Sequence, residues 1–267
     1  MKSVEHAGRR TAYRVADRGD GSKTLVFVHG SGADRRVWKA QDRLASSHRV
    51  VALDLTGHGS SSDIEVAAGP SCLEVYAADL AAVAEAEAAD VVIGNSLGGA
   101  VVQWALLETE LDPTAAVLVG SGAKLAVHED IRQMMTADFD SAIDFLHRPD
   151  LLFTDGVDER LEAASRDAMR ACGRQITERD YLTCHSFDVR DRLDEIDIPV
   201  LAIGGSRDRL TPPMYHQYLA RNLEHGVLSL VEDAAHLVML EQPTSFNTNL
   251  EAFLDHVAQL SKRSGST

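Results

Sequence analysis

Short runs of β-branched and aliphatic residues recur along this chain, and most are separated by longer stretches with helical spacing. The runs are Thr24–Val28, Arg49–Leu53, Val91–Ile93, Ala115–Val119, Val200–Ile203 and Val227–Val231. A strand that is apolar throughout has both faces buried, and its alternation with helices predicts an α/β fold: a mostly parallel twisted sheet covered by helices on both faces. Thr11–Ala16 instead alternates polar and apolar residues and runs into the turn-rich Asp17–Gly21, so an antiparallel hairpin at a sheet edge is expected there. Helical spacing is clearest in Leu73, Tyr76, Leu80 and Val83, in Val102 and Leu106, and in Phe246, Leu250, Phe253, Leu254 and Val257. These stripes face the core and carry no chemistry.

The alternation breaks between Lys124 and about Arg192, where amphipathic helical pattern continues without a buried strand. The chain of 267 residues therefore divides into a core of residues 1–123 and 193–260, a helical insertion of residues 124–192, and a polar, flexible tail of residues 261–267. The insertion is too charged to be core, yet it carries Met134, Met135, Phe139, Phe145 and Phe153, so one of its faces is expected to cover something apolar.

Lys and Arg number 26 against 41 Asp and Glu, a net charge of −15 that repels phosphate backbones and anionic headgroups. Neither nucleic acid nor a membrane surface is an expected partner. Cys72, Cys172 and Cys184 are odd in number and lack metal-ligand spacing, which argues against a disulfide framework or a zinc site. Met1 to Gly19 has no apolar stretch of a signal peptide, and no window suits a membrane span, so a cytoplasmic protein is expected.

Gly94-Asn95-Ser96-Leu97-Gly98 follows the strand Val91–Ile93 and precedes a helical stretch, the context of a nucleophile elbow, G-x-S-x-G. A strained strand-to-helix turn pushes the serine hydroxyl out of the sheet, and flanking glycines keep side chains away from neighbouring backbone. Such a turn also leaves the Leu97 N–H at a helix N-terminus, where it suits a developing oxyanion. A dinucleotide fingerprint is the competing pattern, but Ser96 occupies the middle glycine position and would block close approach to a pyrophosphate. His29-Gly30-Ser31-Gly32 ends the strand Thr24–Val28 and offers the Ser31 N–H as a second oxyanion donor. His29 reads as a structural residue beneath that loop, and Asp54 and His58 as residues that shape the turn after Arg49–Leu53.

A serine hydroxyl needs a base to take its proton and a third group to orient the base. Asp208 follows the strand Val200–Ile203 and His236 follows the last strand, so Ser96, Asp208 and His236 are the candidate catalytic residues. Asp233 lies three residues before His236 and reads as a turn residue or helix cap.

With these motifs in order, joined by Asp54-Leu55-Thr56-Gly57-His58-Gly59-Ser60 and by Ala235-His236 ahead of Glu241-Gln242-Pro243, the chain resembles the α/β-hydrolase superfamily nearly end to end. The resemblance implies that residues 124–192 are a lid over the active site, and that no metal or organic cofactor is needed. Met134, Met135, Phe139, Phe145 and Phe153 become candidate substrate-binding residues. Dehalogenases and epoxide hydrolases of this superfamily carry an aspartate nucleophile, which Ser96 excludes. The function expected is hydrolysis of a small carboxylic ester, with a small-molecule substrate as the expected partner. The alternatives are a cofactor-free C–C bond hydrolase, although Ala33-Asp34 stands where those enzymes have Pro-Gly, a perhydrolase, or a small-molecule binding protein on a hydrolase scaffold.

Overall fold

The computed structural model describes residues 1–19 and 21–264. Eight strands form one sheet in the order β1-β2-β4-β3-β5-β6-β7-β8: β1 (Lys2–His6), β2 (Arg9–Ala16), β3 (Thr24–Val28), β4 (Arg49–Leu53), β5 (Val91–Asn95), β6 (Ala115–Val119), β7 (Val200–Gly205) and β8 (Gly226–Val231). From β4 onward across the sheet every pairing is parallel, whereas β1 pairs antiparallel with β2, and β2 antiparallel with β4. The edge hairpin is thus β1 and β2, reversed at Ala7-Gly8 where both residues have positive φ. β2 pairs with β1 and β4 and not with β3, so β2 and β3 form no hairpin, and Asp20 of the expected turn lies outside the described residues. β1 reads as too polar to register as a strand because it is the sheet's outer edge and largely exposed.

Period-two geometry divides each central strand between two cores. In β3, Leu25 and Phe27 face one side and Val26 and Val28 the other, all fully buried. On the Val26 side pack α1 (Pro70–Glu87) and α2 (Leu97–Glu108), with Leu73, Tyr76, Leu80 and Val101 completely covered. Pro70 opens α1, where its missing N–H costs nothing, and Ala88 ends it in the left-handed conformation. On the Phe27 side lie Trp38, from a 3-10 segment (Arg35–Ser46), and the last helix, whose Phe246, Leu250, Phe253 and Leu254 are nearly unexposed. Truncating Phe27 to alanine would cost about 3–5 kcal/mol at such a site.

Between β6 and β7 the chain leaves the sheet and forms α3 (Glu129–Ala137), α4 (Phe139–Leu146), α5 (Glu159–Cys172) and α6 (Arg174–Ser186). Asp138 and Asp158 cap α4 and α5 by accepting backbone N–H bonds from Ser141 and Arg160. The two ends of this insertion meet at its base, where Lys124 and Asp188 form an antiparallel bridge and a 3.0 Å ion pair. After β7 come α7 (Pro213–Asn222), β8, the single turn α8 (Val238–Glu241) and α9 (Pro243–Ser264). Because α9 runs through Ser264, residues 261–264 are helical and not the tail expected, and residues 265–267 lie outside the described residues. The helical stripe from Phe246 to Val257 carries the helix past the point where polar composition suggests an end.

Candidate active site

β5 ends in the turn that composition marks as an elbow. Ser96 sits at φ 54°, ψ −115°, a left-handed backbone costly for a side-chain-bearing residue, and it caps α2. The turn is held by the Ser96 N–H donating to Val119 O at 2.8 Å and by Ser121 Oγ donating to Ser96 O at 2.9 Å. Gly98 is required sterically, since a Cβ there would lie 2.5 Å from Val28 O and 2.6 Å from His29 O. α2 therefore starts against the end of β3, and this brings the elbow and the loop after β3 together. Leu97 is the first residue of α2, so its N–H has no acceptor within the helix.

His236 and Asp208 come from loops after β8 and β7, sheet neighbours that place both loops at the carboxyl ends of the strands, beside the elbow. His236 Nδ1 and Asp208 Oδ2 are 2.9 Å apart and both residues are buried. The carboxylate is fully occupied: Oδ1 accepts from the Leu210 and Thr211 N–H groups at 2.8 and 2.9 Å, and Oδ2 also accepts from Thr211 Oγ1 at 2.7 Å. Burial by itself would raise the Asp208 carboxyl, but the imidazole and these donors hold it below its ordinary range. With an anionic acceptor at Nδ1, the neutral imidazole keeps its proton on that nitrogen and leaves Nε2 as the nitrogen without one. Asp233 takes no part: it is exposed, at φ 54°, and its N–H donates to Ser206 Oγ.

The loop after β3 is braced from below. His29 Nε2 accepts from the Leu55 N–H at 3.1 Å and Nδ1 donates to Gly30 O at 2.8 Å, an arrangement that needs a neutral ring. Complete burial, with the neighbouring His58, lowers the His29 imidazole to about 4, so it stays neutral. Asp54 joins the loops after β3 and β4, accepting from the backbone N–H of Arg35 and of Ser60 and pairing with the Arg35 guanidinium. His29, Asp54 and His58 all hold loops.

Two cavities meet at Ser96, and Ser31, Tyr181 and His236 line both. One, of about 210 Å³, is walled by apolar groups, among them Val37, Leu161, Ala168, Met169 and Leu240. The other, of about 270 Å³, is walled by Leu125, Ile131, Arg209, Pro212 and Tyr215. Met134, Met135, Phe139, Phe145 and Phe153, the expected substrate-binding residues, line neither cavity. Met135 and Phe153 are buried in the core cluster on the Phe27 side of the sheet, and Met134, Phe139 and Phe145 pack against it. The short helices α3 and α4 can be covered only by laying their bulkiest side chains onto existing apolar surface, so large residues mark the packing face. The cavity wall comes from α5, where Leu161, Ser165, Ala168 and Met169 recur at helical spacing. That stripe shows in the sequence only as a covered helix face, and its spacing does not tell a cavity from packed protein.

Sequence reasoning also missed how the insertion grips the loops of the site. Leu151 O and Leu152 O accept the N–H groups of His236 and Leu237, and Asp150 O accepts that of Arg209. Glu241 completes the clamp, accepting from the Ala235 N–H at 2.7 Å and from Thr154 N and Oγ1 at 2.7 and 2.6 Å. Among the described residues no cluster of three or more His, Cys, Asp or Glu side chains could hold a metal, and no helix is long and apolar enough to cross a membrane.

This architecture has relatives. A pimeloyl-[acyl-carrier protein] methyl ester esterase of Neisseria meningitidis serogroup A is 31% identical, the match spanning 93% of this chain and 81% of that protein. A 2-hydroxy-6-oxo-6-(2'-aminophenyl)hexa-2,4-dienoic acid hydrolase of Metapseudomonas resinovorans is 25% identical over 97% of this chain and 92% of its own length. The solved structure of a thermophilic esterase superposes with a TM-score of 0.83 at 28% identity, covering 96% of this chain and 97% of that one. The family model for the alpha/beta hydrolase family matches residues 25–248, and the chain belongs to that family.

Proposed function

We propose that this protein is a serine hydrolase that cleaves a small carboxylic ester through an acyl-enzyme intermediate. The observation that carries this reading is the 2.9 Å contact of His236 with Asp208 at the rim of the cavities that Ser96 floors. Ser96 Oγ attacks the ester carbonyl while His236 Nε2 takes its proton, and Asp208 stabilises the imidazolium that forms. The Ser31 and Leu97 N–H groups receive the oxyanion. His236 returns the proton to the leaving alcohol, then activates water to hydrolyse the acyl-enzyme. The apolar cavity beside α5 takes the acyl chain, and the cavity containing Arg209 and Tyr215 takes the alcohol. The chemistry uses no metal and no organic cofactor, and the free Cys72, Cys172 and Cys184 suit work in a reducing cytoplasm.

The similarity to a hydrolase named for an oxo-dienoic acid, not an ester, favours carbon–carbon bond hydrolysis by the same residues as the second reading. A fluorophosphonate probe tests the nucleophile: it should label the intact protein once, and labelling should vanish in Ser96→Ala. Turnover of p-nitrophenyl butyrate by the labelled-competent protein separates the readings, since a C–C hydrolase would prefer a 2-hydroxy-6-oxo-dienoate over any ester. Labelling that persists in Ser96→Ala would refute both.

A further inference from the structure

Helix α6 belongs to the insertion, yet one face of it is fastened to the loop that carries Ser31. Thr177, Asp180 and Cys184 recur at helical spacing on that face. Thr177 and Met169 stand over Gly32, where a Cβ would lie 3.1–3.3 Å from their side-chain atoms, and Gly32 itself has φ +65°. Cys184 Sγ is 3.7 Å from Ser31 Oγ. Between them, Asp180 Oδ2 accepts the Gly32 N–H at 3.0 Å.

Asp180 has no exposed surface, and each of its oxygens is engaged by the core domain. Oδ2 also meets His58 Nε2 at 2.9 Å, and Oδ1 accepts from the Tyr76 hydroxyl at 2.7 Å. His58 Nδ1 lies 3.2 Å from Thr56 O, so both ring nitrogens face acceptors and the ring must carry two protons and a positive charge. The pair is charge-balanced and completely buried. Burying two ions costs several kcal/mol of desolvation that apolar residues of the same volume would avoid, so such a pair is poorly explained by stability alone.

We infer that Asp180 is a positioning residue for oxyanion stabilisation: by clamping the Gly32 N–H it fixes the Ser31–Gly32 peptide and thereby aims the adjacent Ser31 N–H at the reacting carbonyl. The inference rests on the serine-hydrolase reading for its catalytic consequence. Ser31 and Gly32 are adjacent peptides joined through only two soft torsions, so anchoring the second restricts the first. A donor displaced from the oxyanion by a fraction of an ångström forfeits transition-state stabilisation while leaving ground-state binding to the cavities intact. The insertion thus supplies a cavity wall, and its seating sets the geometry of the oxyanion donor.

The test compares Asp180→Ala, Asp180→Asn, Asp180→Glu and, as a control, Thr183→Ala, whose hydroxyl accepts the Gly69 N–H and fastens α6 to the core away from the oxyanion loop. With p-nitrophenyl acetate, Asp180→Ala should lower kcat about a hundredfold with KM changed less than threefold, in line with loss of an oxyanion donor. Asp180→Asn keeps an acceptor for Gly32 and should stay within tenfold of wild type. Asp180→Glu keeps the charge but shifts the acceptor, so it should lose at least tenfold, and it carries the test if the alanine variant does not fold. Thr183→Ala should keep kcat within twofold. Amide hydrogen exchange at Gly32 should accelerate at least tenfold in Asp180→Ala and not in Thr183→Ala. Unchanged kcat in Asp180→Ala or Asp180→Glu, an equal loss in Thr183→Ala, or unchanged Gly32 exchange would each overturn the inference. If Ser96→Ala were as active as wild type, the serine-hydrolase reading would fail instead, and Gly32 exchange would still decide whether Asp180 holds the loop.

Discussion

On the ester-hydrolase proposal, replacing Ala168 with leucine should shorten the acyl chain that is accepted. Ala168 lies on the face of α5 that walls the apolar cavity, one turn beyond Ala164 and adjacent to Met169. The substitution adds about three carbon atoms to the wall of a cavity of only about 210 Å³, and a long acyl chain must withdraw a similar number of methylenes. At about 0.8 kcal/mol for each buried methylene the loss is about 2.4 kcal/mol, or roughly fiftyfold in kcat/KM. An acetyl group has no methylene to withdraw from that wall and should be turned over within twofold of wild type. The assay is kcat/KM for p-nitrophenyl acetate, butyrate, hexanoate and octanoate, with Met134→Ala and Phe139→Ala as controls because neither residue lines a cavity. If the octanoate-to-acetate ratio were unchanged in Ala168→Leu, or shifted as far in the controls, the assignment of the acyl site to α5 would be wrong.

Asp208→Asn should lower turnover of an activated ester at least about a hundredfold, while Asp233→Asn, altering an exposed turn residue, should stay within twofold; the reverse pattern would reassign the acid. His216 on α7 is fully buried and burial pushes its imidazole down to about 4. The unfolded chain takes up that proton near pH 6.5 and the folded chain only near 4, so this stability is complete above pH 6.5 and is lost as pH falls toward 4, by at most about 3 kcal/mol. Denaturant unfolding between pH 7.5 and 4.5 should show a flatter acid slope for His216→Phe than for wild type, and an equal slope would contradict the assignment. Gly98→Ala should cost about 1–3 kcal/mol of stability, seen as a lower Tm, because the new methyl meets Val28 O and His29 O; an unchanged Tm would mean the elbow can relax.

The parallel core was legible because its strands are buried on both faces: β3, β4, β5, β6 and β7 carry an apolar or small residue at nearly every position. β1 was not, since an exposed edge strand has no apolar pattern and is recruited only by its antiparallel partner β2. The strand-to-helix turn at Ser96, with Gly94 and Gly98 beside it, was legible because a strained turn tolerates few residues, and the meeting of Asp208 with His236 because each stands in a loop after an apolar strand run. Leu161, Ala168 and Met169 could not, because helical spacing reports that a face is covered without reporting whether protein or a cavity covers it.

The local order of the chain, then, determined by itself what depends on neighbours in sequence: strand and helix periods, the elbow, and the loops that end in an acid and a base. The tertiary structure alone decided what depends on neighbours in space. It laid Met135 and Phe153 into the core instead of a cavity, brought Glu241 under Thr154 and Ala235, and set Asp180 of α6 against Gly32, which precedes it by 148 positions. A buried carboxylate is stable only where donors from distant segments converge on it, and no local pattern encodes that convergence.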